Sequence, residues 1–222
     1  TAQGVGGKAL GAEGDRAAHE QLTRRLAELR PGDAVLSEEA AADPARLSAE
    51  RVWIVDPLDG TREFSEVPRT DWAVHVALVA GGDPVAGAVA LPARGLTLST
   101  ATPPPPPGPW AGPVRVVVSR SRPPAEAALI AEALGGQLVT LGSAGAKAMA
   151  VALGEAEVYP HNGGQHEWDS AAPVAVARAA GLHASRLDGS PLVYNRPDPY
   201  LPDLLICRPE LAERVIAAAA GG

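Results

Sequence analysis

Apolar and polar positions follow two rhythms along the chain, and each predicts an element. In "DRAAHEQLTRRLAEL", Ala18, Leu22, Leu26 and Leu29 recur at helical spacing, so a helix is predicted from Asp15 to Leu29, with Asp15 as its N-cap. A turn at Pro31-Gly32 leads into a short strand, Ala34 to Leu36, with Glu38 and Glu39 at its end. "RVWIV" (51–55) is the next strand, closed by Asp56. "WAVHVALVA" (72–80) and "PVAGAVALP" (84–92) flank a Gly-Gly-Asp turn, the chemistry of a hairpin, and "GLTLSTA" (95–101) adds another strand.

Pro103 to Pro107 cannot enter a helix or an interior strand and predict an extended spacer between two halves. Strand character restarts at "VRVVVS" (114–119). "PAEAALIAEAL" (124–134) reads as a helix stopped by Gly135-Gly136, "KAMAVALG" (147–154) as a helix, "EAEVYP" (155–160) as a strand, and "DSAAPVAVARAAG" (169–181) as a helix ended by Gly181. The picture is mixed α and β in two halves, 1–108 and 109–222, with no repeat period.

Composition narrows this. The 222 residues are 46% hydrophobic but only 4% aromatic, so the core must be built from Ala, Val and Leu. Cys207 is the single cysteine, which removes an intramolecular disulfide and a thiolate zinc site. No stretch approaches the ~20 apolar residues of a membrane span and no signal peptide opens the chain, so a cytoplasmic protein without membrane contact is expected. A formal net charge of −7 argues against binding a nucleic-acid polymer. It suits an anionic small substrate only where carboxylates hold divalent cations.

The carboxylates are placed for that role. Glu38, Asp56, Asp59 and Asp169 all stand at the ends of predicted elements, where acidic side chains can converge without disturbing a core. Mg²⁺ takes oxygen ligands and keeps some waters, so a few shared carboxylates suffice for two ions. Asp56 and Asp59 flank Pro57-Leu58, whose Leu58 carbonyl is a natural extra ligand, and Pro57 stiffens the turn. Gly60 lets backbone approach a phosphate, and Thr61 offers a hydroxyl to orient water. Two metals roughly 3.5–4 Å apart would stabilise both attacking and leaving oxygens. Taken singly, "LDGT" reads as a turn, "SEE" as a solvated patch and "WDSAA" as a capped helix. Three acidic clusters in this order, all at element ends, are hard to attribute to capping.

"SEEA", "WIVDPLDGTREF" and "EWDSAAPVAVARAAG" together resemble the signature segments of the inositol monophosphatase superfamily, over nearly the whole chain. The resemblance implies an α+β fold: a layered αβαβα sandwich of the sugar-phosphatase type, in two subdomains with the metal site between them. It also implies a lithium-sensitive, Mg²⁺-dependent phosphatase. Glu38, Asp56 and the Leu58 carbonyl would bind one Mg²⁺, and Asp56, Asp59 and Asp169 the second, with a weaker third ion near Glu38. Gly60 and Thr61 would hold the scissile phosphate, and an Asp15–Thr61 pair would activate the water.

"DGTREF", "VVVSRSRPP" and "GSAGAKAMAVALGEAEVYP" are similar to the CysQ branch, which implies release of the 3′-phosphate of 3′-phosphoadenosine 5′-phosphate to give AMP, in sulfate assimilation. Ser143 and Lys147 are then candidate nucleotide contacts, and Arg120 and Arg122 candidates for a second phosphate. His161 and His166 lack the spacing of a helical zinc pair and read as ordinary histidines in a Gly-rich loop, "HNGGQHE". The same core chemistry on inositol phosphate or a sugar bisphosphate stays open, as do a non-catalytic metal-dependent phosphometabolite sensor and a homodimer. The missing Gly-x-x-x-x-Gly-Lys-Ser/Thr argues against a P-loop enzyme. A haloacid-dehalogenase type is poorly supported, since its aspartates would stand two apart.

Overall fold

A computed structural model of the chain describes residues 7–221. The first helix, α1, spans Gly7–Leu29 and so starts two turns before the predicted Asp15, which is an interior, buried residue of the helix and not its cap. Five strands then form one sheet in chain order: β1 (Ala34–Ser37), β2 (Arg51–Asp59), β3 (Ala73–Ala80), β4 (Asp83–Leu91) and β5 (Leu96–Ser99). A short helix, α2 (Thr61–Ser65), interrupts the run after β2. β1 pairs parallel to β2, and the rest are antiparallel.

Past the prolines, β6 (Arg115–Ser119), α3 (Glu126–Leu134), β7 (Gln137–Leu141), α4 (Ala144–Ala152), β8 (Val158–His166), α5 (Glu167–Ala179), β9 (His183–Ser185), β10 (Tyr200–Cys207) and α6 (Ala212–Ala219) follow. Their strands make a second sheet, ordered β7-β6-β8-β10-β9. "HNGGQH", expected as a loop, is the far half of β8 and pairs with β10 across a register break between Leu201 and Asp203.

Alternation in the second sheet shows how the layers stack. Val116, Val118, Leu205 and Cys207 face a cluster with Ile130 and Leu134 of α3 and Val215 of α6. Their neighbours Val117, Leu204 and Ile206 point the other way, into a larger cluster. That larger core also takes Met149 of α4, Val174 of α5, and Ile54, Ala77 and Val89 of the first sheet. α4 and α5 therefore fill the space between the sheets, while α1 lies against β2 and α2 packs on α1, giving five layers, αβαβα. The shared core has few rings, as the composition requires, and its helices present Ala and Val to the sheets.

Candidate active site

Asp56 and Asp59 are three apart, so in a regular strand they would point to opposite faces. β2 instead continues through Pro57 with a break in register. Asp56 lies opposite His75 and Asp59 opposite Ala73, three steps on one strand against two on the other. This bulge turns both carboxylates to one side, and Pro57 is tolerated there because a bulge leaves residues unpaired. The strand does not end at Asp56 as expected; it is deformed there.

Asp169 arrives from the other half. His166, and not Asp169, is the N-cap of α5; Asp169 sits three residues in, where its Oδ2 accepts from the His166 amide at 2.6 Å. One oxygen each of Asp56, Asp59 and Asp169 lies within 4.8 Å of the others. Backbone amides hold these carboxylates in place: Leu58 N donates to Asp56 Oδ1 at 3.0 Å, and Ala144 N and Gly145 N donate to Asp59 at 3.1 and 2.5 Å. Asp56 Oδ2 is buried with no hydrogen-bond partner among the described residues.

Three carboxylates so close disturb one another's charge. Burial, then Asp59 and Glu38, push Asp56 well above the ordinary range. Burial and Asp59 push Asp169 up to about 7. Glu38, just past β1 on the exposed side of the group, is pushed up to about 7 by partial burial of its carboxyl and by Asp15 and Glu39. Asp59 goes the other way. Burial alone would raise it, but His75, Lys147 and the Gly145 amide outweigh that and hold it low. His75 mirrors this: burial presses it down, yet Asp59 holds it above its usual value. Fully ionised, the group would carry more negative charge than its surroundings neutralise, and among the described residues Asp56 Oδ2 has no donor. Hard oxygen donors in this state fit a divalent cation such as Mg²⁺.

Thr61 opens α2 directly after Gly60, which adopts a left-handed φ of 88°. Its Oγ1 has two acceptors in reach, Asp15 Oδ2 at 3.1 Å and the Leu58 carbonyl at 3.2 Å. α1 comes this close because Gly11 faces Thr61; a Cβ at Gly11 would stand 2.6 Å from Thr61 Cγ2. Burial raises the Asp15 carboxyl above its ordinary value, against the hydrogen bond from Thr61.

A cavity of about 760 Å³ opens beside this group, lined among others by Asp59, Gly60, Ser143, Lys147, Asp169 and Arg122. Lys147 is buried, donates to the Gly142 and Ser143 carbonyls, and is pressed down to about 8 by burial. Ser143 caps α4, accepting from Ala146 N at 3.0 Å.

Arg120, a candidate for a second phosphate, is taken up by other contacts. Its guanidinium is engaged by Glu63 at 2.7 Å and Glu66 at 2.8 Å, and it is not part of the cavity wall. Arg122 is in that wall and makes no ion pair among the described residues. His161, expected as an ordinary loop residue, also lines the cavity, held down to about 4 by burial and the nearby Lys147 charge. His75 was missed, because an isolated histidine in "WAVHVALVA" gives no spacing signal.

The chain matches the inositol monophosphatase family over residues 4–103 and 113–221. It is 57% identical, over 219 residues, to a 3′-phosphoadenosine 5′-phosphate phosphatase of Mycobacterium bovis, covering 95% of this chain and 82% of that protein. It is 36% identical, over 201 residues, to the 3′(2′),5′-bisphosphate nucleotidase CysQ of Escherichia coli K12, covering 84% and 80%. Among solved structures, CysQ from Bacteroides thetaiotaomicron superposes with a TM-score of 0.76 at 30% identity, over 87% of this chain and 83% of that one. Inositol monophosphatase II from Staphylococcus aureus superposes with a TM-score of 0.80 at 22% identity, covering 94% and 82%, a likeness of fold. With both halves of the chain matched and relatives this similar, the chain belongs to the inositol monophosphatase family.

Proposed function

We propose that the protein is a Mg²⁺-dependent phosphomonoesterase that removes the 3′-phosphate of 3′-phosphoadenosine 5′-phosphate, leaving AMP and phosphate. One observation carries the reading: three carboxylates from both halves of the chain converge within 4.8 Å at a cavity whose wall also holds Lys147 and Arg122. Relatives named for this activity support the substrate.

Glu38, Asp56 and the Leu58 carbonyl would hold one Mg²⁺, and Asp56, Asp59 and Asp169 a second, with a weaker third near Glu38. Bound there, the cations supply Lewis-acid polarisation of the phosphate and a more acidic water. The chain does the rest. Thr61 Oγ1 orients the attacking water and takes its proton while passing its own to Asp15 Oδ2, the acceptor already in place. The raised pKa of Asp15 suits it to hold that proton. Gly60 and Thr61 seat the scissile phosphate. Lys147 has used two of its three donors on carbonyls and keeps one for the substrate. Arg122 serves the 5′-phosphate, and the cavity has the volume of a small-molecule site.

The division at residue 108, a homodimer and a cytoplasmic location complete the proposal. Each sheet is drawn from one side of that division, and no helix among the described residues is long and apolar enough to cross a membrane.

The test is phosphate release with Mg²⁺, comparing 3′-phosphoadenosine 5′-phosphate, inositol 1-phosphate and fructose 1,6-bisphosphate by kcat/KM. A tenfold preference for the nucleotide, about 1.4 kcal/mol of transition-state discrimination, is the expected result. Equal rates would make it a broad phosphatase. No turnover with Mg²⁺ bound would favour a sensor.

A further inference from the structure

His75 is wholly buried, at 0% exposure, in the middle of an otherwise apolar strand. A core position of this kind is ordinarily filled by an aliphatic side chain, because an imidazole buried there costs free energy unless its nitrogens are satisfied. Both nitrogens of His75 face acceptors. Nδ1 lies 3.0 Å from the Trp168 carbonyl in hydrogen-bond geometry, and Nε2 lies 3.2 Å from Asp59 Oδ2, an ion-pair contact outside hydrogen-bond alignment. Trp168 immediately precedes Asp169 in α5, whereas Asp59 ends β2. One rigid ring therefore touches a carboxylate carried by the first sheet and the peptide unit that carries a carboxylate from the second half.

We infer that His75 is a positioning residue that fixes the Asp59 carboxylate relative to Asp169 and so sets the affinity of the acidic group for a divalent cation. The inference rests on the metal-site reading above. The packing leaves the ring no alternative place. A Cβ at Gly145 would stand 2.1 Å from Nε2, so the first turn of α4 is seated directly on the imidazole. Asp59 Oδ2 is thus held between the Gly145 amide and His75, while Oδ1 takes the Ala144 amide. The backbone amides tie Asp59 to α4, and among the described residues His75 is the side chain that links it to α5, where the third carboxylate resides. Partners of this kind orient the ligands of a metal, and their loss characteristically weakens binding without removing a ligand.

Two substitutions separate this role from a structural one. In His75→Asn the amide nitrogen takes the place of Nδ1, keeping the Trp168 carbonyl and abandoning Asp59. In His75→Gln it takes the place of Nε2 and keeps Asp59. Mg²⁺ binding is measured without substrate, by isothermal titration and by the rise in Tm that Mg²⁺ produces. The expected result is a loss of about tenfold or more in Mg²⁺ affinity for His75→Asn, with His75→Gln recovering most of it. Wild-type affinity in His75→Asn, or an equal loss in both variants, would overturn the inference. Failure of the unaltered protein to bind Mg²⁺ would instead overturn the metal-site reading itself. Should His75→Asn not fold, the imidazole NMR signals of His75 in the unaltered protein serve: they are expected to shift on saturation with Mg²⁺, and unchanged signals would count against the role.

Discussion

Thr61 and Asp15, 46 positions apart, meet through a 3.1 Å hydrogen bond that joins the first turn of α2 to the middle of α1. The bond requires a glycine at position 11, one helical turn before Asp15, where any side chain would collide with Thr61. In the proposed mechanism this pair moves a proton.

Thr61→Ala is accordingly expected to lower kcat by about 100-fold or more, the usual scale for a lost general acid-base partner, with KM nearly unchanged. Steady-state kinetics distinguishes this from a binding role, in which KM would rise and kcat stay. Asp15→Asn should reproduce the effect.

Asp56→Asn should abolish Mg²⁺-dependent turnover and also the Mg²⁺-induced rise in Tm. The metal-free protein should be no less stable than the wild type, because the substitution relieves the crowding of negative charge with Asp59, Glu38 and Asp169. Calorimetry with and without Mg²⁺ checks both. A large fall in metal-free Tm would mean that Asp56 is chiefly structural.

Glu38 and Asp169, both pushed up to about 7, bind protons in the folded state that the unfolded chain releases near its ordinary carboxylate values. Their contribution to stability is present below about pH 4 and is lost as pH rises through 7. A cation replaces those protons, so the Mg²⁺-induced rise in Tm should grow between pH 5 and pH 8. The difference with and without Mg²⁺ is the measurement to follow, since the depressed His161 contributes with the opposite sign to both curves. A rise in Tm independent of pH would mean that the cation binds elsewhere.

Arg122→Ala should raise KM for the bisphosphate nucleotide about tenfold, the scale of one charge-assisted contact, while leaving a monophosphate substrate unaffected. Arg120→Ala should instead lower stability with little effect on kinetics, since it strands the largely buried Glu63 carboxylate. Kinetics and denaturant unfolding on the two variants separate the arginines. Exchanged phenotypes would reverse the assignment.

Lithium should inhibit at millimolar concentration, competing for the group formed by Asp56, Asp59 and Asp169. Activity unaffected by lithium while Mg²⁺ is limiting would argue against that site.

The strands 72–80 and 84–92, the helix from 124 and the proline spacer were legible because period and punctuation are local properties of the chain. The extra turns of α1 were not: "GKALGAEG" carries three glycines and little amphipathic pattern, and it is helical because it packs against α2 and β2. Nor was β10 predicted, although "YLPDLLIC" is strongly apolar, since its pairing partner β8 contains the glycines that made that segment look like a loop. Arg120 and Arg122 are two apart on one short stretch, and sequence alone gives no means of telling which is taken up by Glu63 and Glu66.

The amino-acid sequence by itself determined the chemistry: which carboxylates stand at element ends, the Gly60-Thr61 pair behind them, and a core of small aliphatics. Tertiary structure decided how those groups meet. The bulge at Pro57 that turns Asp56 and Asp59 to one side depends on pairing with β3. The approach of Asp169 depends on α5 lying between the two sheets, and the burial of His75 on α4 closing over it. These relationships join residues from about 15 to 110 positions apart, and they arise because packing two sheets around one pair of helices leaves the ends of β2 and α5 facing the same space.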